Sequence, residues 1–153
     1  MALQRTTREA GPGDVAAVAV LFDLYCQFYE QPADLPLAER FIQARMTRQE
    51  SVILVAESDG SGLQGFCQLY PSFCSVEAQP IYVLYDLFVH PSVRRSGAGR
   101  LLLQAAEARA AADGKARMDL TTAKANQKAQ ALYASLGWVR DEVFYTYSRR
   151  VAA

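Results

Sequence analysis

The sequence has few of the residues that most often carry chemistry. In 153 residues it has one histidine, His90, and three cysteines, Cys26, Cys67 and Cys74. The cysteines form no CxxC pair and take no metal-ligand spacing with the histidine, which excludes a zinc finger and a disulfide framework. An odd, scattered set fits a reducing cytosol, so a cytoplasmic protein is expected. An excess of one charge is also missing. Sixteen basic residues balance sixteen acidic ones, which leaves no reason to expect nucleic acid or an anionic membrane as partner. No apolar run approaches a membrane span, and MALQRTTREAGPGD lacks the apolar core of a signal peptide. No repeat or low-complexity linker divides the chain, and SDGSG reads as a turn. One domain over residues 1–153 is expected.

What is present is an ordered series of apolar patterns. A strand is expected over residues 3–8, ended by GPGD, where Asp14 can cap a helix. Val15, Val18, Phe22, Cys26 and Tyr29 recur at helical spacing to about residue 30. QPADLP breaks that helix; Pro36 suits a first turn, and Leu37, Phe41 and Ile42 carry a second helix to about Thr47. VILVA is short and continuously apolar, as a buried strand would be. LQGFCQLYPSF reads as its hairpin partner. IYVLYDLFV is the most strand-like segment and contains one carboxylate, Asp86. A helix from about Gly97 ends at Asp113-Gly114, and ARMDL then alternates as a strand. Ala129, Leu132, Tyr133 and Leu136 share a helical face closed by Gly137. Val143, Tyr145 and Tyr147 alternate in a last strand. This order, β-α-α-β-β-β-α-β-α-β, predicts an α/β (α+β) fold: a single mixed sheet with about four helices, an antiparallel first half and a strand-helix-strand crossover.

The stretch VHPSVRRSGAGRLLLQAAEA sets two arginines beside two glycines at the mouth of a helix. First-turn N–H groups lack intrahelical partners and sit at the positive end of the helix dipole. Glycines remove the side chains that would hold an anion away from those amides. Arg94, Arg95 and Arg100 flank Gly97 and Gly99 and add charge able to pair with phosphate oxygens. A plain turn at the two glycines is the alternative. A P-loop is excluded because Arg100-Leu101 stands where Lys-Ser/Thr is needed. A dinucleotide fingerprint is disfavoured by Leu102, where a third small residue belongs.

Arg94, Gly97 and Gly99 directly after a buried strand, followed by NQKAQALYASLGW, make the chain resemble a GNAT-superfamily N-acetyltransferase. The resemblance runs from TTREAGPGDVAAVAVLF to the last strand and implies the GNAT fold, with acetyl-CoA as donor. It implies that the pyrophosphate lies on the amides of Arg95, Ser96, Gly97, Ala98, Gly99 and Arg100. It also implies that Leu87, Phe88 and Val89 splay from their neighbour and pair with the pantetheine arm, opened by a bulge near Tyr85-Asp86. Asn126 resembles the family asparagine that contacts the cofactor, and is equally suited to an N-cap. Tyr133 corresponds to the phenol that gives a proton to the leaving thiolate, although its place in the apolar stripe also fits core packing.

The general base is less clear from the residues. In the polyamine-acetylating branch, which DLYCQFYEQPADL and YDLFV resemble, a glutamate precedes the strand aspartate; here that position is Tyr85. Asp86 either accepts the amine proton or is a structural acid. His90, in the loop before Pro91, is expected to have no catalytic role, and Cys67 and Cys74 to be packing residues. Tyr25, Tyr29, Tyr82, Tyr85 and Tyr145, with Glu30, Asp34 and Glu77, make a candidate rim for a cationic amine. The acceptor is a small amine, polyamine, amino acid or lysine side chain. The final FYTY strand is a candidate homodimer interface, and a non-catalytic acyl-CoA-binding module is the competing reading.

Overall fold

The computed structural model describes residues 4–152, so Leu3, the expected start of the first strand, lies outside them. The elements are β1 (Arg5–Glu9), α1 (Val15–Phe28), α2 (Leu35–Thr47), β2 (Val52–Ser58), β3 (Gly62–Cys74), β4 (Gln79–Val89), α3 (Ala98–Ala112), β5 (Met118–Asp119) and α4 (Gln127–Ser135). The strands form one sheet in the order β1-β2-β3-β4-β5. The first four are antiparallel neighbours, and β5 runs parallel to β4. This is the mixed α/β arrangement that the pattern of elements predicts. The chain divides into two compact units, one ending at Thr121 and the other beginning at Thr122. The first holds the sheet and α1 to α3; the second holds α4 and the residues after it.

In the first unit both faces of the sheet are covered, which explains why VILVA is apolar at every position. Ile53 and Val55 of β2 join Phe66 and Phe88 in a core closed by Val18 and Leu21 of α1 and Ile42 of α2. Adjacent strand residues point to opposite faces, so Gly65 faces away from that core and toward α3. A methyl group at Gly65 would meet the Phe88 carbonyl oxygen at 2.8 Å and Leu102 Cδ1 at 3.2 Å. Glycine here lets α3, with Leu102, Leu103 and Ala106 fully buried, lie close on β3 and β4.

Two features of the sheet matter for function. The β3–β4 register passes from Gln68↔Asp86 to Leu69↔Leu84, which leaves Tyr85 as an extra residue on β4. On the other side of β4, pairing with β5 covers Tyr82 and Val83 alone. Among the described residues, β4 has no strand on that side from Leu84 to Val89.

Local details depart from expectation in two places. Asp14 stands at the N-cap of α1 but makes no side-chain hydrogen bond to that helix. Its carboxylate instead accepts from Gly11 N–H at 2.7 Å and pairs with Arg8, which holds its pKa down at about 2. The last strand does not form: residues 138–152 contain neither strand nor helix, and Val143, Tyr145 and Tyr147 are exposed. Alternation suits a residue to a pleated surface but supplies no partner. Among the described residues, the second unit contains no other strand with which this segment could pair.

Candidate active site

The glycine stretch has the backbone its sequence demands. After a short 3-10 turn at Pro91–Val93, Arg94 is extended and Gly97 takes the N-cap of α3 at φ 87°, ψ 3°, with no side chain capping it. That is left-handed backbone, in which an L side chain is strained. An added Cβ at Gly97 would meet no protein atom within 4 Å, so the chain leaves space there. Leu101 N–H reaches back along the helix to Gly97 O at 3.1 Å. The amides of Ala98 and Gly99 come before that ladder. Arg95 is also left-handed, at φ 64°, an unusual conformation for a residue with a side chain. Arg94 bonds the Val89 carbonyl through Nε at 3.2 Å and lies 5.4 Å from the Phe88 ring centroid. Its cationic head is thereby tethered to the end of β4. The fit to a diphosphate is good: space ahead of Gly97, an uncapped helix start and anchored positive charge.

A residue missed in the sequence completes this loop. Arg5 of β1 donates to the Ser96 carbonyl at 2.6 Å through Nη1 and to Gln64 Oε1 at 2.6 Å through Nε. It pins the loop and brings a further cation to it. No local pattern signals a partnership between positions so far apart in sequence.

Asp86 is buried, 3% exposed. Gln68 Nε2 donates to its Oδ2 at 2.5 Å, and the Ser51 hydroxyl donates to Gln68 Oε1 at 2.7 Å. The Tyr25 hydroxyl, close enough to the carboxylate to favour its charged form, donates to the Tyr85 carbonyl at 3.1 Å. Burial raises the Asp86 pKa above the usual carboxylate range, partly opposed by these donors. Gln68, too, was not legible in the sequence; it is brought to Asp86 by cross-strand register.

Tyr25 lies within an aromatic group, with ring centroids 5.2 Å from Tyr29, 6.1 Å from Phe66 and 6.2 Å from Phe88. Tyr85, exposed on the bulge, packs edge-on to Tyr70 at 5.6 Å. Tyr25, Tyr29 and Tyr85 thus gather around the opening in the sheet. Glu30 follows Tyr29 in left-handed backbone and is exposed. Tyr82 does not belong to this group. It is 5% exposed, its hydroxyl donates to Asp113 at the end of α3, and Lys115 stacks over its ring at 4.6 Å. In a strand without alternating polar residues, sequence does not tell which side chains face in. The acidic rim also thins: Asp34 caps α2 by accepting from Leu37 N–H, and Glu77 pairs with Arg117.

His90 Nδ1 accepts from the Ser92 amide at 3.1 Å, a local turn bond. The three cysteines are free, and burial pushes the Cys67 thiol up to about 12. Among the described residues no group of acidic, cysteine and histidine side chains could hold a metal, and no helix is long and apolar enough to cross a membrane.

In the second unit Asn126 is the N-cap of α4, its Oδ1 accepting from Ala129 N–H at 3.2 Å. Tyr133 is half-buried, its ring centroid 6.1 Å from that of Trp138.

A family model described as the acetyltransferase (GNAT) family matches residues 18–138, and so spans both compact units. An uncharacterized N-acetyltransferase of Bacillus subtilis (strain 168), YhfO, is 46% identical over 146 residues, which are 95% of this chain and 97% of that one. The crystal structure of a probable acetyltransferase superposes with a TM-score of 0.90 at 33% identity, over 97% of this chain and 99% of the other. An aminoglycoside N-acetyltransferase, AAC(6')-Iy, in complex with CoA, shares the fold at a TM-score of 0.82 and 18% identity, over 98% and 97% of the two chains. With the family model covering most of the chain and a relative of this identity along nearly its full length, the protein belongs to the GNAT acetyltransferase family and is an acetyltransferase.

Proposed function

We propose that the protein moves the acetyl group of acetyl-CoA to a primary amine by direct attack in a ternary complex. The observation that carries this reading is the β4 edge, bulged at Tyr85 and without a strand partner on the β5 side past Val83. The β4 edge leads directly into an uncapped, glycine- and arginine-rich helix start. Acetyl-CoA is the donor. Its diphosphate lies on the amides of residues 95–100, with Arg94, Arg95 and Arg100 as counter-charge. Its pantetheine pairs with the backbone of Leu87, Phe88 and Val89 as an added strand would. An N–H of Leu87 or Phe88 faces the thioester oxygen, a donor worth about 3 kcal/mol of barrier. Asn126, whose Oδ1 is taken by capping, offers its amide NH2 to the cofactor. Tyr25, Tyr29, Glu30 and Tyr85 receive the amine, and Asp86 takes its proton.

Tyr133 gives its proton to the departing thiolate. Tyr133→Phe is expected to lower kcat roughly tenfold or more with acetyl-CoA affinity kept. Single-turnover and binding measurements on the variant check this, and full activity would return Tyr133 to a packing role.

The protein acts in the cytoplasm, in keeping with its three free cysteines. It pairs with a second copy through the exposed Phe144, Tyr145 and Tyr147, more aromatic surface than a monomer usually leaves bare.

The deciding experiment is thiol release from acetyl-CoA with a panel of amines: a polyamine, amino acids, an aminoglycoside and a lysine peptide. Release with one class identifies the acceptor. Tight acetyl-CoA binding without release on any amine would overturn catalysis in favour of a binding module.

A further inference from the structure

Ser96 lies between two residues in left-handed backbone, Arg95 at φ 64° and Gly97 at φ 87°. Such backbone persists where the surroundings hold it in place. Here the hold comes from Arg5, on a different strand. Its Nη1 donates to the Ser96 carbonyl at 2.6 Å while its Nε donates to Gln64 Oε1 at 2.6 Å. Gln64 is itself fixed: it is 6% exposed, and its own carbonyl accepts from His90 N–H at 2.8 Å, where β4 gives way to the loop. A guanidinium is a rigid planar fork, so the loop carbonyl is held in a set direction from the sheet.

That direction has a consequence for the next amide. Among the described residues no peptide bond is cis, and across a trans peptide the C=O and N–H point opposite ways. With the Ser96 carbonyl turned to Arg5, Gly97 N–H is turned away from it. Among the described residues that N–H is bonded to no protein acceptor, and the backbone around it is open enough to take an added Cβ. The same peptide turned over would present its carbonyl oxygen, which repels a phosphate.

We propose that Arg5 is a positioning residue for the donor: by holding the Ser96 carbonyl it aims the Gly97 amide at the diphosphate, and so sets the affinity for acetyl-CoA. Without it the loop would have to be ordered at the expense of binding. The proposal rests on the reading that the diphosphate lies on the amides of residues 95–100, and adds the residue outside the loop that orders them.

Arg5→Met keeps an aliphatic stem and removes the donors. In calorimetric titration its dissociation constant for acetyl-CoA is expected to rise about 10-fold or more; wild-type affinity overturns the proposal. Arg5→Lys keeps the charge but cannot span both acceptors, and is expected to share the loss. Wild-type affinity in Arg5→Lys would mean that charge alone acts, which also overturns the positioning role. Melting curves show which variants fold, and Arg5→Lys carries the test if Arg5→Met does not. A second measurement compares donors with the best amine of the panel. With acetyl-CoA, KM is expected to rise in the variants at unchanged kcat. With S-acetylpantetheine, which has the thioester and the pantetheine arm but no diphosphate, kcat/KM is expected to stay at the wild-type value. An equal loss with both donors would mean that Arg5 only supports the sheet, and overturns the proposal. Gly97→Val separates the two levels of the argument. If it binds acetyl-CoA as wild type does, the loop is not the diphosphate site and the underlying reading fails. If it loses affinity while the Arg5 variants keep theirs, the loop stands and the role of Arg5 fails.

Discussion

Asp86→Asn is expected to lower turnover by about 10²–10⁴-fold, the usual share of a general base, and at the same time to make the protein harder to unfold. The two effects share one cause. Burial lifts the Asp86 pKa above its ordinary value, so across the interval between the two the folded chain holds a proton that the unfolded chain has released. Stability therefore falls as pH rises through that interval and stays lower above it. Asparagine has nearly the same shape, still accepts from Gln68, and carries no charge to strand in the core. For catalysis the charged form is the useful one, so wild-type kcat/KM declines on the acid side as Asp86 takes up its proton, and the variant loses that limb. Urea unfolding at neutral pH and a pH-rate profile read the two effects separately. A variant less stable than wild type would show that the carboxylate contributes to the fold, and an unchanged acid limb would move the base elsewhere.

Gly97→Val is expected to weaken acetyl-CoA binding by roughly 10²-fold or more. At φ 87° a branched side chain is strained by about 1–2 kcal/mol, and it projects into the space that the phosphates need. Each charge-assisted bond lost to a displaced phosphate removes about 1.5–3 kcal/mol. Gly97→Ala is the informative companion. No protein atom lies within 4 Å of the added methyl, so its stability change reports backbone strain alone and its affinity change reports the ligand's approach. Calorimetric titration with acetyl-CoA, beside melting curves, separates them. Unchanged affinity in Gly97→Val would remove the diphosphate from this loop.

What could be read from sequence follows how far apart the cooperating residues lie. The run at Val52–Ser58, the start of α3 at the glycines and the single carboxylate of β4 are each written in a few consecutive residues, and each stands where expected. The bulge beside Asp86 came from the family resemblance and is found at Tyr85. The contacts of Asp86 and of the loop were not legible, because Gln68, Ser51, Tyr25 and Arg5 reach their partners across strands or helices. Tyr82 misled for a related reason: without polar residues alternating along the strand, its side cannot be chosen. The terminal segment misled in the opposite sense, since its alternation is clear while no strand is offered to it within its own unit.

The bond from Arg5 to the Ser96 carbonyl joins residues 91 positions apart. Because a ribosome releases the chain from its beginning, the fifth residue waits in the nascent polypeptide until the diphosphate loop has emerged. Closing so long a span is a slow event, so competence to hold the donor is acquired late in synthesis, after the hairpins between β2, β3 and β4 have had time to form.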